Sequence, residues 1–217
     1  MDLISLAHLV RTRSLTAGPS YGCGAGAYRQ SPLFNPPCGS VPGLDTPAPS
    51  AQVPARPIGR PAASSTVVLS CDAWWVQLLS DVRAASQVAV SSLVFDHLGL
   101  TNIFLEKLQA RGSFELVIVV DKESFEAKPP HAPQQGPRLR SLQRAGAEVV
   151  LCKGSGRYGR MHGKALVCDR RIAYSGSANF TVKSASNAEL CFRFLGSPVA
   201  DILGFIISAL QRGERLP

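Results

Sequence analysis

Residues 114–121, FELVIVVD, constrain the fold of this chain most. The five consecutive apolar residues at 116–120 are mostly β-branched and lack the alternation of apolar and polar residues found in a strand with one wet face. A strand buried on both faces belongs in a sheet with parallel neighbours, where crossover helices cover both sides.

The flanking sequence supplies those helices and neighbours. TVVL and QVAVSSLVF read as strands, and CDAWWVQLLSDV between them reads as a helix capped by Asp72, with Trp75, Leu78, Leu79 and Val82 on its apolar face. TNIFLEKLQARG reads as a second helix, opened by Thr101 and closed by Gly112. After the Pro-rich loop KPPHAPQQGP come a short helix, RLRSLQRAG, ended by Gly146, and a strand, AEVVLC. KALVCD, RRIAYSG and ELCFRF read as three further strands, followed by a helix from about Pro198 to Arg212. The class is α/β.

Residues 1–64 differ in kind. They are dense in Pro, Gly, Ala and Ser and too poor in apolar surface to offset the entropy of ordering, so they are expected to be a disordered tail preceding a catalytic domain at 65–217. The first residues, MDLISLAHLVRTRSLTAG, loosely resemble an organelle transit peptide, although Asp2 departs from that pattern. No run of about 18 uncharged apolar residues is present, so no transmembrane segment is expected.

Lys and Arg total 23 against 15 Asp and Glu, a formal net charge of +8 that favours polyanionic partners such as nucleic acid or an anionic lipid surface. The 6 cysteines form no CxxC pair and have no histidine at zinc-ligand spacing, which implies no metal site and a reducing, intracellular compartment. A Walker A loop is excluded, because Tyr158 stands five residues before Gly163 and Ala165 follows Lys164. No cofactor is implied.

The chemistry concentrates in MHGKALVCDRRIAYSGSANFTVKSASNAE. If a strand begins here, His162 and Lys164 leave it on one face and Gly163 points away, which sets a nucleophile beside a cation. After Asp169 the chain turns and returns to a GSAN turn, where Gly176, Ser177 and Asn179 concentrate donors suited to phosphate oxygens. Asn187 and Glu189 form a third polar pair.

This pattern resembles the HxKxxxxDxxxxxxGSxN motif of the phospholipase D superfamily, through His162, Lys164, Asp169, Gly176, Ser177 and Asn179, with Asn187 and Glu189 as the further NxE. The YGRMHGK lead-in and GSANFT turn are similar to members with a single motif per chain, such as Nuc-type endonucleases and mitochondrial cardiolipin hydrolases. The resemblance implies a mixed sheet with helices on both faces and a metal-independent phosphodiesterase. Its nucleophile would be His162, with Lys164 and Asn179 as the phosphate clamp and Ser177 and Asn187 as accessory groups; Glu189 would orient the imidazole, and Asp169 would support the motif's fold more than its chemistry. Nucleic acid and a phospholipid such as cardiolipin are the candidate substrates, and a silent phosphate-binding module is the alternative.

Only one of the 4 histidines stands in an HxK motif, so the chain carries half of a two-imidazole site and is expected to form a homodimer that completes it. His97 is expected to be structural, and His8 and His131 solvated. Lys153, Arg157 and Arg160 form a glycine-rich basic loop suited to a polyanion, and Trp74 and Trp75 are expected in the core.

Overall fold

The computed structural model describes residues 63–110, 112–127, 132–154 and 159–217. The expectations for a disordered tail and transit peptide, and those for His8, His131 and Arg157, lie outside the described residues. Eight strands form one mixed sheet: β1 (Ser65–Leu69), β2 (Gln87–Ser92), β3 (Glu115–Asp121), β4 (Glu148–Cys152), β5 (Ala165–Cys168), β6 (Ile172–Gly176), β7 (Cys191–Leu195) and β8 (Glu214–Arg215). Their order is β1-β7-β6-β5-β2-β3-β4-β8, with β2, β3 and β4 mutually parallel and every other pairing antiparallel.

The FELVIVVD strand is buried on both faces, as its composition requires. Leu116, Ile118 and Val120 enter one apolar cluster with Trp74, Leu78, Phe104, Leu139 and Leu142, while Val117 and Val119 enter the other with Val199, Leu203, Ile206 and Leu210. At roughly 1.5–3 kcal/mol per buried aliphatic side chain, as an upper estimate, this one strand is a main source of stability. The first cluster is covered by α1 (Cys71–Ala84), α2 (Leu98–Gln109) and α4 (Gln135–Arg144), with the short α3 (Lys122–Glu126) between strands β3 and β4 in sequence. The second is covered by α5 (Ser197–Arg212) alone. Among the described residues no helix is long and apolar enough to cross a membrane.

Two helix starts differ from the sequence expectation. Helix α1 is capped by Ser70, whose Oγ accepts the Ala73 amide at 3.4 Å, while Asp72 lies within the first turn, where its charge favours the helix dipole. Helix α2 starts before Thr101: His97 is its cap, Nδ1 accepting the Leu100 amide at 3.2 Å, and Thr101 bonds back to the His97 carbonyl. It ends at Gln109 with Ala110 as cap rather than at Gly112. Histidine is a rare cap, so the pattern offered no signal there. Helix α3 and strand β8 were also not anticipated.

Strands β5 and β6 form a hairpin whose turn places Asp169 and Arg170 at φ 49° and 59°, the left-handed conformation of a type I′ turn. Asp169 tolerates it because its side chain finds local partners: Oδ1 accepts the amides of Ser86 and Gln87, each at 2.8 Å, and its own amide donates to Gln87 O. The turn is thereby tied to the start of β2. A second tie joins α1 to the sheet, where the Asp81 carboxylate accepts from Tyr174 Oη and, at 3.0 Å, from the Arg193 guanidinium. Burial, reinforced by Asp81, pushes the Tyr174 phenol well above its ordinary range.

Replacing Asp169 with Ala leaves two amides without their acceptor and is expected to cost about 2 kcal/mol in urea unfolding. Asp169→Asn keeps an amide oxygen at the same place, and less than half that loss is expected.

Candidate active site

Because β2, β3 and β4 are parallel, their C-terminal ends open on the same edge of the sheet; the segment that carries His162 passes there as extended chain, and the strand expected to begin at His162 begins only at Ala165. Arg160 pairs with Lys153 across an isolated antiparallel bridge just beyond β4. The Met161 amide then donates to Asp121 Oδ1 at 2.9 Å, at the end of β3. Asp121 has no solvent exposure; its Oδ2 accepts the Ser124 amide at 2.8 Å and lies 3.7 Å from Arg160 Nη1. Arg160 also reaches Ser124 Oγ at 3.1 Å and Glu123 at 3.4 Å. Sequence reasoning missed Asp121. Its only signal was a carboxylate closing a run of five apolar residues.

From this anchor the side chains alternate. Met161 is buried in the cluster under α5 and His162 is exposed. Gly163 lies beneath the Phe205 ring, where an added Cβ would sit 2.3 Å from a ring carbon, so any other residue would displace that ring. Lys164 returns to the side of His162: its Nζ lies 3.2 Å from Nδ1, 3.3 Å from Nε2 and 3.0 Å from the His162 carbonyl oxygen. Lys164 is buried and ion-pairs with no carboxylate among the described residues. Burial pushes its ammonium below the usual lysine range, partly offset by the charge of Glu189. An unpaired buried cation beside an exposed imidazole is suited to receive an anion.

The motif's spacing is hairpin geometry. Ala165 pairs with Ser175, so the register sets Lys164 across from Gly176. Gly176, at φ 155°, comes so close to β7 that a Cβ would lie 2.0 Å from Leu190 O. Beyond it Ser177 is fixed by two bonds with the Leu190 backbone, both 2.9 Å, and its hydroxyl donates to the Glu189 carboxylate. The other Glu189 oxygen accepts from Asn187 Nδ2 at 3.2 Å. The turn is hung on the end of β2 through Phe180, whose carbonyl accepts the amides of Asp96 and His97, each at 3.0 Å. Between these anchors, Asn179 keeps its Oδ1 buried, with no hydrogen-bond partner among the described residues.

The structure thus brings His162 and Lys164 into contact and joins Ser177, Asn187 and Glu189 in one network whose charge acts on Lys164. No hydrogen bond from Glu189 to His162 forms among the described residues; the carboxylate is engaged by Ser177 and Asn187. Asp169 stands at the far end of β5, on the order of 15 Å along the strand from Lys164, and does not enter the group. His97 is half-buried, stacked on Trp75 at 4.1 Å, with Nδ1 bonded to its own helix; burial holds it below the ordinary histidine range. Trp74 and Trp75 are core residues. No group of three or more His, Cys, Asp or Glu among the described residues is arranged to hold a metal ion.

The depressed Lys164 has a sign that can be tested. Between its folded and ordinary values the unfolded chain binds more protons, so this residue costs stability at neutral pH and the cost fades as pH rises. Lys164→Met is expected to unfold at higher urea than the wild type at pH 7, with the difference shrinking toward pH 10, as followed by circular dichroism.

The comparisons with known proteins agree with this geometry. The family model described as "Cardiolipin synthase, PLD-like domain" matches residues 79–204, more than half of the chain. NucT from Helicobacter pylori has a TM-score of 0.61 at 18% identity, over 71% of this chain and 100% of that one. Nuc from Salmonella typhimurium, a phospholipase D family member, has a TM-score of 0.58 at 15% identity, over 71% and 99%. A phosphatidylserine synthase from Haemophilus influenzae Rd KW20 has a TM-score of 0.53 at 13% identity, over 70% of this chain and 40% of that one. Among curated proteins, none matches the chain. With the family model spanning the hairpin, the lysine and both polar turns, the chain belongs to the phospholipase D-like superfamily as a member carrying a single HKD motif.

Proposed function

We propose that this chain is a metal-independent phosphodiesterase that works through a phosphohistidine at His162. The observation that carries this reading is the exposed His162 ring held against the buried Lys164 ammonium. In the first step an imidazole nitrogen attacks phosphorus; the N–P bond forms as the bond to the leaving oxygen breaks, and that oxygen takes a proton from an acid. Water then attacks phosphorus, breaks the N–P bond and gives up a proton. Lys164 and the donors of the GSAN turn stabilise the charge spread over the phosphoryl oxygens, and Glu189 holds Ser177 and Asn187 in place.

The acid is the imidazole of a second copy. His97 is committed to its cap, so the chain's described residues offer no other histidine to protonate the leaving group. The α5 face supports association: Phe205, next to Gly163, and Val68 are exposed, and Phe192 and Phe194 are only half-buried. A two-fold dimer that also meets at the sheet edge carrying His162 completes the site from two His162 side chains. The substrate is a nucleic acid or an anionic phospholipid such as cardiolipin, in keeping with the net charge of +8.

His162→Ala is expected to lower turnover of bis(p-nitrophenyl) phosphate by about 10³-fold or more, with no acid-labile phosphate trapped on the protein, while EDTA leaves the wild type active. Mixing His162→Ala subunits into wild type should depress activity beyond simple dilution, and the rate should be bell-shaped in pH, since one imidazole attacks neutral and the other donates charged. Salt-sensitive polyanion binding without turnover of any diester would establish a silent binding module instead.

A further inference from the structure

Beyond the ends of β3 and β4, next to the segment that carries His162, lies a cleft of about 350 Å³ lined by Lys122, Leu151, Lys153, Arg212, Gly213 and Glu214. Gly213 brings the end of α5 down on β4, since a Cβ there would lie 2.2 Å from Val150, and this close approach sets Arg212 at the rim. Lys122 is held by Glu214 and, at 3.7 Å, by Glu126. Lys153 and Arg212 are exposed and pair with no carboxylate among the described residues; Arg212 donates to Ser208 Oγ. Three cations therefore face one carboxylate, and two of them retain their charge for a ligand.

The cleft is joined to the reacting centre through the backbone. Lys153 bridges to Arg160, two residues before His162, and Lys122 follows Asp121, which holds Met161. The Cα atoms of Lys153 and His162 are accordingly within about 12 Å, a gap that the long Lys153 side chain can shorten toward a phosphate next to the one at His162. Of the basic residues in the lead-in loop, Arg160 is occupied with Asp121 and Glu123, whereas Lys153 faces the cleft.

We propose that this cleft is a second phosphate subsite, which takes the phosphate of a nucleotide next to the scissile diester of a polynucleotide. It rests on the phosphodiesterase reading of His162 and selects the polynucleotide among that reading's substrates. The reason is the wall: among the described residues Leu151 is its only large apolar side chain and is itself buried, so they offer an acyl chain nothing to lie on. The exposed large apolar residues lie elsewhere: Val76 on α1, Leu98 at the start of α2, Val182 and Leu190 at the polar turns, Val67 and Val68 on β1 and Phe205 on α5.

The test is the double variant Lys153→Gln/Arg212→Gln, which changes two exposed side chains and leaves the Lys122 and Glu214 pair intact. In the wild type, KM should fall as the substrate lengthens from a dinucleotide to a hexanucleotide; in the double variant that gain should shrink by about tenfold. In a His162→Ala background, fluorescence anisotropy with a labelled hexanucleotide should show weaker binding for the double variant, and a plot of log affinity against log salt flatter by about 1.4, from two lost contacts at roughly 0.7 each. Equal length dependence, affinity and salt slope in both proteins would overturn the subsite. So would a wild type that hydrolyses cardiolipin in vesicles but neither cleaves nor binds the oligonucleotide. Cleft-dependent oligonucleotide binding without hydrolysis of any diester would instead leave the subsite standing and remove the phosphodiesterase reading.

Discussion

A fully buried carboxylate must find charge-assisted partners or lose its ionised form, because the interior offers no water to hydrate it. Asp121 finds them in the Met161 amide, the Ser124 amide and the Arg160 guanidinium. Two of these lie on the segment that leads to His162, so satisfying this carboxylate draws that segment onto the end of β3. Everything nearer the reacting centre follows by alternation: Met161 goes into the core, His162 outward, Gly163 beneath Phe205 and Lys164 back beside the imidazole. The site is placed by a charge that never touches it.

The same region also carries its costs. Among the described residues, Lys164 is buried with no ion-pair partner and Asn179 keeps a buried oxygen with no hydrogen-bond partner. Neither arrangement favours folding, since a buried cation loses hydration and an unpaired acceptor loses its hydrogen bond. Both become useful if an anion arrives, because a preformed field needs no reorganisation when charge develops in the transition state. Rigid neighbours keep the arrangement from relaxing: Gly176 lies against Leu190 O, and Ser177 is bonded to the Leu190 backbone on two sides.

What the sequence made legible follows from how local each signal is. The buried strand β3, the hairpin of β5 and β6 and the amphipathic α5 are written in short-range periodicity, and the structure has each of them. The motif was readable for the same reason, since its spacing is the length of one hairpin and its turn. The caps of α1 and α2 were less legible: the cap of α1 is Ser70, two residues before the Asp72 that was expected, and His97 is an unusual cap residue. Asp121 was missed because the amides it accepts from are 3 and 40 residues away, the second reachable only once β3 and the segment before His162 are adjacent. Strand β8 is two residues long and exists only because β4 offers it an edge.

The uneven covering of the sheet bears on how the site is completed. Eight strands at about 4.8 Å spacing span roughly 34 Å, and one face is covered by three helices. The other has only α5, a single helix about 10–12 Å across. Among the described residues nothing shields the outer part of that face, and Val68 is 62% and Phe205 44% exposed. Apolar side chains so placed favour a covering partner. Phe205 packs against Gly163, and Met161 and Ala165 point the same way into the cluster under α5, whereas His162 and Lys164 leave the chain on the other side. A partner that covers the apolar face therefore meets the back of this segment, and the imidazole itself is reached from the edge of the sheet at which β3 and β4 end. Apolar burial and access to His162 are separate demands, made by opposite sides of one short segment.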